Sequence, residues 1–416
     1  MPTSPTGSDT EDDTAGDALA RCVGDTGRFV REHWARAPLY RPGADGAAFA
    51  DLFSLGDVDH ILSSTTPRYP AFRLVKEGRQ LDRRSYTRSG RVGGQPVDDL
   101  ADPRRVYELF HGGATIVLQS LHRFWPPLSR FGRDLELALT HPVQVNAYIT
   151  PPASRGLGVH RDEHDVFVLQ VHGRKRWDVH DRDGEPGDRL IVAELAPGDC
   201  LYIPQRHPHA AWTAATASVH LTVGVVPTTW GDALRRTVSS AVEDALSGEP
   251  LPAGFAADPA ALTAGVAEQL AEVRQRLDKL DPGAIAVAAA DRFWSGRPPL
   301  LTGQLQQLLA LEEIGEDTVV RRRPGAVCGL RQRGDRLEVL LGDRVLHMPA
   351  RLDPVMRLIL PATGWPSPTS PHSSTRPAGW CWSGAWSGRG CWSRSPLCER
   401  SAASGRSPGE FHRAPS

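Results

Sequence analysis

Apolar and polar residues alternate along several short segments in the middle of the chain. In PVQVNAYIT, small apolar residues occupy every second position, and Asn146 and Tyr148 share the opposite face. SVHLTVGVV repeats the alternation, with His220 and Thr222 on its polar face. DVFVLQVHG is apolar on both faces, as expected of a buried strand. Short strands at this density, separated by Gly, Pro and Asp turns, predict an antiparallel barrel or jelly roll.

The pattern differs on the two sides of this strand-rich region. Before it, ARCVGDTGRFVREHW predicts one amphipathic helix and GGATIVLQSL predicts a buried strand. After Thr229, apolar residues recur every three or four positions, which predicts a helical module. Further on, AVCGLRQ and RLEVLLGDRVLHM predict two strands, and a helix begins at Pro354, which together suggest a small α+β module.

Two segments of the strand-rich region contain candidate metal ligands. His160 and Asp162 are two residues apart, and such residues point the same way on a strand. The segment GDCLYIPQRHPHAAW adds His207 and His209, of which His207 is favoured as a rim residue, while His164 is favoured as a surface residue. Two histidines and one carboxylate are typical of non-haem Fe(II) oxygenases, whose open positions admit a cosubstrate and oxygen. Mn, Ni and Zn remain alternatives, because ligand type alone does not select the metal.

Other polar residues of these strands are candidates for a binding pocket. Lys175, in GRKRW, leads the strand after DVFVLQV and offers a compact positive charge for the far carboxylate of a dicarboxylate cosubstrate. The alternative is a basic hairpin that is exposed to solvent. Asn146, Tyr148, His220 and Thr222 either line the pocket or lie on an outer, hydrated face.

Composition adds limits rather than a function. The net charge of −1 provides no overall attraction to nucleic acid or an anionic membrane, so direct nucleic-acid binding is not expected. No apolar run is long enough to span a bilayer, and the first residues lack the pattern of a signal peptide, which predicts a cytoplasmic protein. The 6 cysteines are scattered without paired spacing, so neither a disulfide framework nor a zinc site is implied.

The motifs together resemble those of the JmjC ribosomal oxygenases, which hydroxylate residues of ribosomal proteins. The similarity is strongest in NAYITPPASRGLGVHRDEHDVFVLQVHGRKRWDV, PGDCLYIPQRHPHAAW and SVHLTV. It implies a mainly β fold with α elements: a double-stranded β-helix (cupin/JmjC) barrel, then a helical module that forms a homodimer, then a winged-helix-like α+β module. The implied domains are a disordered N-terminus (1–17), the JmjC/cupin oxygenase domain (18–229), the helical dimerisation module (230–315), a partial winged-helix module (316–362) and an irregular tail (363–416).

The resemblance also implies roles for single residues. The metal ligands correspond to His160, Asp162 and His209, and Lys175 matches the basic position that binds 2-oxoglutarate. The remaining matched positions line the pocket and are Asn146, Tyr148 and His220. The implied enzyme uses Fe(II), 2-oxoglutarate and O2 to hydroxylate a protein side chain, a histidine or an arginine of a ribosomal protein. GRKRW and SVHLTV are more similar to the branch that hydroxylates histidine.

Other functions remain open at this point. A small-molecule or peptide hydroxylase and a lysine demethylase would use the same metal site. A non-catalytic cupin that binds a metal and acts as a regulator belongs to a different class, and the presence of all three ligands and Lys175 counts against it. The substrate-selecting loops diverge freely, so the resemblance does not name the substrate.

The last part of the chain, residues 363–416, has no strand or helix period. It begins where a winged helix should continue, and it contains three of the 6 cysteines. When part of it is back-translated with GC-rich codons, a neighbouring frame reads as an amphipathic helix. We therefore expect a disordered tail produced by a shift of reading frame. Resequencing of the gene tests this hypothesis, and the same tail in close relatives would contradict it.

Overall fold

The computed structural model describes residues 17–44, 46–154, 158–183, 188–323, 325–359 and 392–394. The predicted disordered N-terminus, except for its last residue Asp17, and most of the predicted irregular tail lie outside these residues. Two compact units are present. We call them the barrel unit, which contains the described residues up to Pro227 together with Leu300–Ala326 and residues 392–394, and the C-terminal unit, which contains Thr228–Pro299 and the described residues of Val327–Leu360.

The described chain forms ten α-helices and eighteen β-strands. They are α1 (Asp17–Val23), α2 (Thr26–Glu32), β1 (Leu39–Arg41), α3 (Leu55–Ser64), β2 (Phe72–Lys76), β3 (Arg79–Gln80), β4 (Thr87–Val92), β5 (Gln95–Ala101), α4 (Pro103–His111), β6 (Thr115–Leu118), α5 (Pro126–Leu139), β7 (Val143–Thr150), β8 (Asp165–His172), β9 (Lys175–His180), β10 (Arg189–Leu195), β11 (Cys200–Ile203), β12 (His209–Trp212), β13 (Ser218–Val225), α6 (Trp230–Ala245), α7 (Thr263–Asp278), α8 (Pro282–Ser295), α9 (Gln304–Leu309), β14 (Val320–Arg322), β15 (Cys328–Arg333), β16 (Arg336–Leu341), β17 (Arg344–Pro349), α10 (Asp353–Ile359) and β18 (Trp392–Arg394).

Two antiparallel sheets form the framework of the barrel unit. The larger sheet has eight strands in the order β1-β11-β8-β13-β7-β6-β2-β3, and the smaller has three in the order β10-β9-β12. Neighbouring strands are often distant in sequence, because β13 pairs with both β7 and β8. This crossed order is the antiparallel barrel or jelly-roll architecture that the alternating segments predict.

The strand sequences explain how the two sheets bury their faces. On β7, Val145 and Ala147 point to one face and are fully buried, whereas Tyr148 on the opposite face is only half-buried. Strand β8 contributes to two apolar clusters: Phe167 packs in the main core, and Val168 packs with residues of β9, β10 and β11. Burial on both faces is the reason for its nearly continuous apolar sequence.

The predicted single N-terminal helix is wrong, since two short helices occupy that segment. Gly24 has a φ of +75°, a left-handed conformation that ends α1 and that a glycine adopts without strain. The side chain of Asp25 then accepts a hydrogen bond of 2.8 Å from the backbone N–H of Arg28 and caps α2. The apolar period alone cannot reveal this break, which depends on the Gly-Asp pair.

The C-terminal unit combines the helices α6, α7 and α8 with a three-stranded antiparallel sheet of β15, β16 and β17. The side chain of Thr229 and that of Asp232 form a capping box at the start of α6. The segment RLEVLLGDRVLHM, predicted as one strand, forms the hairpin β16–β17 with Gly342 and Asp343 at its turn. A glycine-aspartate pair favours such a turn over a continuous strand. In the described chain, no helix is both long and apolar enough to cross a lipid bilayer.

Candidate metal centre and cavity

Three predicted ligands come together where the chain enters β12. His160 and His209 exchange both backbone hydrogen bonds, of 3.1 and 3.0 Å, and form an isolated bridge. The backbone carbonyl of Asp162 accepts a third hydrogen bond, of 2.8 Å, from the N–H of Arg206. We expected His160 and Asp162 to lie on one continuous strand. They do not, because the chain leaves the bridge immediately after His160.

The side chains of these residues converge on one point. One ligand atom from each of His160, Asp162 and His209 lies within 4.8 Å of the other two. The carboxylate oxygens of Asp162 are 4.0 Å from Nε2 of His160 and 3.6 Å from Nε2 of His209. Two imidazole nitrogens and one carboxylate at these separations fit a single divalent ion, with further coordination positions open towards the cavity.

Backbone carbonyls orient both imidazoles. Nδ1 of His160 lies 2.9 Å from the carbonyl oxygen of Gly158, and Nδ1 of His209 lies 3.0 Å from that of His207. With the proton on Nδ1, each Nε2 keeps its lone pair for a metal. Burial, aided by the nearby His160, lowers the pKa of His209 to about 4, so this imidazole is neutral at physiological pH.

The two remaining histidines of the motif stand outside this cluster. His207 is buried, and its Nδ1 lies 3.3 Å from the carbonyl oxygen of Pro204. His164 lies against Gly224 of β13, where a Cβ atom would come within 2.5 Å of its ring. The glycine at this point of β13 therefore allows the close approach of His164.

A buried carboxylate anchors the segment that precedes His209. Asp165, at the start of β8, accepts a 2.6 Å hydrogen bond from the Tyr202 hydroxyl and a 2.8 Å bond from the backbone N–H of Gln205. Hydrogen bonds to a charged acceptor are stronger than neutral ones. Asp165 thus fixes the turn between β11 and β12, and with it the position of His209.

A cavity of about 140 Å³ opens beside the three candidate ligands. Strands of both sheets contribute to its walls. Its lining residues are Arg73, Val75, Thr115, Val117, Tyr148, His160, Asp162, Val166, Lys175, Trp177, His209, Ala211, His220 and Thr222.

Lys175 is the buried cation of this cavity. Its side chain is only 4% exposed, and its Nζ donates a 3.0 Å hydrogen bond to Oγ1 of Thr150. Thr115 donates in turn to Thr150, at 3.3 Å. Burial lowers the pKa of Lys175 to about 7. No carboxylate of the described residues pairs with its ammonium group, so this group is positioned for an anion that these residues do not supply.

Two further buried polar atoms of the cavity have no hydrogen-bond partner within the described residues. They are Nδ1 of His220 and Nε1 of Trp177. The His220 ring stacks on Tyr148, with a centroid separation of 5.1 Å, and meets the Trp177 ring edge-on at 5.3 Å. Burial, reinforced by Lys175, lowers the pKa of His220 well below its usual range. Unpaired buried polar atoms are costly, and a polar ligand would satisfy them.

The structure does not bring every candidate into the cavity. Asn146 is absent from the lining, and its Oδ1 accepts a 2.9 Å hydrogen bond from the backbone N–H of Ser120. Asn146 shares a face of β7 with Tyr148, as predicted, but it is engaged in holding the chain after β6. Thr222, which pairs with Asn146 across the sheet, does line the cavity.

Several lining residues escaped the sequence analysis. Trp177 lies two positions after Lys175 on β9 and therefore shares its face, a signal that the alternation rule could have supplied. Thr115 and Arg73 depend instead on which strands become neighbours. Arg73 pairs with Val117, and Val117 pairs with Tyr148, so all three lie in one row across β2, β6 and β7.

Comparison with known proteins finds similarity in the region that contains this site. Residues 122–233 match the family model of the JmjC domain. Ribosomal oxygenase 1 of Gallus gallus is 31% identical over 236 residues, which are 52% of this chain and 38% of that protein. A bifunctional lysine-specific demethylase and histidyl-hydroxylase NO66 of Culex quinquefasciatus is 27% identical over 235 residues, which are 52% of this chain and 35% of that protein.

Among solved structures, YcfD, a ribosomal oxygenase from Escherichia coli in complex with cobalt and 2-oxoglutarate, is 20% identical, with a TM-score of 0.48. The alignment covers 80% of this chain and 88% of that one. The chain spans only 38% of the length of the Gallus gallus relative. The domain match agrees with the predicted JmjC/cupin fold of mixed α and β content. Residues 122–233 are therefore similar to the JmjC domain, and about half of this chain is similar in sequence to part of ribosomal oxygenase 1.

Proposed function

We propose that this protein is an Fe(II)- and 2-oxoglutarate-dependent oxygenase that hydroxylates a protein side chain, a histidine or an arginine of a ribosomal protein. The observation that carries the proposal is the pairing of an open three-ligand cluster with a buried lysine that lacks an acidic partner in the described chain. A purely structural metal site would have a closed set of ligands and no need for the lysine.

His160, Asp162 and His209 would hold the metal ion. The donor set of two neutral imidazoles and one carboxylate suits Fe(II), and it also suits Mn(II), Ni(II) or Zn(II). Fe(II) with 2-oxoglutarate and O2 supplies the oxidation of an unactivated C–H bond, coupled to oxidative decarboxylation of the cosubstrate to succinate. The contribution of the protein is to orient the ligands through the backbone carbonyls of Gly158 and His207.

The cosubstrate would lie in the cavity with its far carboxylate on Lys175. Thr150 accepts a hydrogen bond from the same ammonium group and thereby orients it. His220 and Trp177 offer their unpaired nitrogens to the remaining oxygen atoms. Apolar side chains in the cavity wall exclude water from this pocket and strengthen these charge-assisted contacts; they are those of Val75, Val117, Val166 and Ala211.

A lysine demethylase is the second candidate, since one relative carries both activities in its name. Both reactions begin with oxidation of a C–H bond at the same metal, so the site ligands do not separate them. A mass increase of one oxygen atom on the protein substrate indicates hydroxylation, whereas loss of a methyl group indicates demethylation. A small-molecule or peptide hydroxylase would act without a ribosomal protein. A silent regulatory cupin would bind the metal without turnover.

The finer architecture belongs to the same proposal. We assign residues 230–315 to a helical dimerisation module and residues 316–362 to a partial winged-helix module, and we expect a cytoplasmic homodimer without direct nucleic-acid binding. Exposed apolar side chains on α6 and α7 support dimerisation: Leu234 is 42% exposed, and Val266 and Leu270 are each 50% exposed. Such side chains on facing helices are the usual material of an interface between copies.

Turnover of 2-oxoglutarate to succinate tests the proposal. The protein is reconstituted with Fe(II) without oxygen, and succinate is measured after air is admitted. We expect His160→Ala to abolish turnover and Lys175→Ala to weaken it strongly. Arg174→Ala is the matched control, because Arg174 is an exposed neighbour that pairs with Glu194 outside the cavity. Folded protein that binds neither the metal nor 2-oxoglutarate would contradict the proposal.

A further inference from the structure

Arg73 is a second cation of the cavity, and neither the metal cluster nor the anion subsite uses it. Its Nε donates a 3.1 Å hydrogen bond to Oε1 of Gln119, and its positive charge opposes the rise that burial causes in the pKa of the Tyr148 phenol. The register explains this reach. Arg73 pairs with Val117 on β6, whose short side chain lies between Arg73 and Tyr148 in the same row of the sheet.

When the metal ion and 2-oxoglutarate are bound, no negative charge in the cavity remains to balance the positive charge of Arg73. Lys175 and a divalent ion would together match Asp162 and the two carboxylates of 2-oxoglutarate. Arg73 forms no ion pair with a carboxylate in the described part of the chain. A guanidinium stays protonated at every working pH, so one positive charge persists at this wall of the cavity.

The hydrogen bond to Gln119 also defines the orientation of Arg73. Gln119 holds Nε, which leaves the N–H groups of the two terminal nitrogens of the planar guanidinium for another acceptor. Gln119 does not line the cavity and therefore acts as a positioning residue. Arg73 does line it, and its half-buried side chain is directed into the space that the metal cluster and Tyr148 share.

We propose, on the basis of the function proposed above, that Arg73 selects the side chain to be hydroxylated by donating hydrogen bonds to it. The substrate side chain is then a neutral or anionic acceptor: an unprotonated imidazole, an amide or a carboxylate. Arginine and methylated lysine are excluded, because a cation beside the uncompensated guanidinium would be repelled and would leave its N–H groups unpaired. The inference thus narrows the substrate class.

Five peptide pools test the inference, each with randomised flanks and one fixed central residue, which is His, Asn, Asp, Arg or Lys. The full-length protein is loaded with Mn(II) and 2-oxoglutarate, a combination that does not turn over. The peptides that this protein retains from each pool are counted by mass spectrometry. The Fe(II) enzyme then acts on the same pools under ¹⁸O₂. We expect retention and label in the His, Asn or Asp pools at a level about tenfold or more above the Arg and Lys pools.

Charge reversal at Arg73 is the sharper arm of the experiment. Arg73→Glu is expected to move retention from the acceptor pools to the Arg and Lys pools, while Arg79→Glu, on the exposed strand β3, leaves the preference unchanged. Tyr148→Phe removes only the phenol and is expected to keep the order of the pools. If Tyr148→Phe reproduced the effect of Arg73→Glu, Arg73 would act only by holding Tyr148, and the assignment would be wrong.

Other outcomes overturn the inference as well. Preference of the wild type for the Arg or Lys pool contradicts it directly, and so does equal retention of all pools. Retention of no pool also contradicts it, since a subsite that selects one side chain must accept some member of a pool that contains it. Failure of the proposed oxygenase function is seen separately, as absence of 2-oxoglutarate binding to the Mn(II)-loaded wild type in calorimetry.

Discussion

The affinity for 2-oxoglutarate should fall steeply above neutral pH, and Lys175 is the reason. Burial lowers the pKa of its ammonium group to about 7 in the protein without cosubstrate. The dicarboxylate binds only the protonated form, so at higher pH each binding event must first add a proton to the amine. The sign is therefore fixed: binding is tightest below pH 7 and weakens as the pH rises through and beyond 7.

The magnitude follows from the position of this pKa. Well above pH 7, the apparent dissociation constant rises about tenfold per pH unit, which corresponds to about 1.4 kcal/mol. Between pH 7 and pH 9, the expected loss of affinity is about fiftyfold, because half of the lysine is already neutral at pH 7. Uptake of about 0.9 proton per bound 2-oxoglutarate at pH 8 is the companion prediction.

Isothermal titration calorimetry of the Mn(II)-loaded protein measures both quantities, with buffers of different ionisation enthalpy for the proton count. Lys175→Arg is the matched control, since its guanidinium remains protonated and its affinity should not change over this range. Any pH dependence that arises at the metal would persist in this variant. A wild-type affinity that is constant from pH 7 to pH 9, or an equal decline in Lys175→Arg, would refute the reasoning.

The same lysine predicts an opposite effect on the stability of the protein without cosubstrate. In the unfolded chain its pKa returns to about 10.4, so the unfolded state holds more protons between pH 7 and that value. The free energy of unfolding should then rise with pH over this window, by up to about 1.4 kcal/mol per unit. Urea denaturation of the wild type against Lys175→Met isolates this contribution, and a difference that does not change with pH would contradict it.

Three other outcomes follow from the site and the units around it. His160→Ala should lower the affinity for Mn(II) by more than about 100-fold, beyond the loss typical of a residue that only supports a ligand, as measured by calorimetry. Gly173→Ala should lower the free energy of unfolding, measured in urea, by about 3 kcal/mol or more, because a Cβ atom there would lie 1.8 Å from the carbonyl oxygen of Ala217. Gly93 also has a positive φ but faces open space, so Gly93→Ala should lower it by only about 1 kcal/mol. Leu234→Glu should shift the proposed dimer to monomer in sedimentation velocity, and an unchanged sedimentation coefficient would remove α6 from the interface.

The pattern of apolar and polar residues predicted the strands β7, β8 and β13 well. The alternation in β7 and β13 identified their polar faces, and the doubly apolar sequence of β8 identified a strand buried between two clusters. It failed where one or two residues with special backbone preferences interrupt the pattern. Gly24 divides the predicted N-terminal helix, and the Gly342-Asp343 turn divides a predicted strand into a hairpin.

The candidate site was predictable only as far as local spacing determines it. His160 and Asp162 were chosen for a strand geometry that the structure does not have, yet their ligand atoms still converge with that of His209. The bridge to His209, formed between residues far apart in sequence, does this instead. Arg73 could not have been predicted, because its place in the cavity depends on the pairing of β2 with β6.

The two sheets contribute different residues to the cavity, so the residues of one sheet can change without those of the other. The smaller sheet carries His209, Lys175 and Trp177, which would hold the metal and the cosubstrate. The larger sheet carries Tyr148 and Arg73 on strands that contact neither His209 nor Lys175 through the backbone. Substitutions on β2 and β6 can therefore change the charge that faces the substrate without displacing the metal ligands. Under the proposed function, the residues that select the substrate are separate from those that hold the metal, which is why a reversal of charge at Arg73 should change the preferred peptide and leave binding of Mn(II) intact.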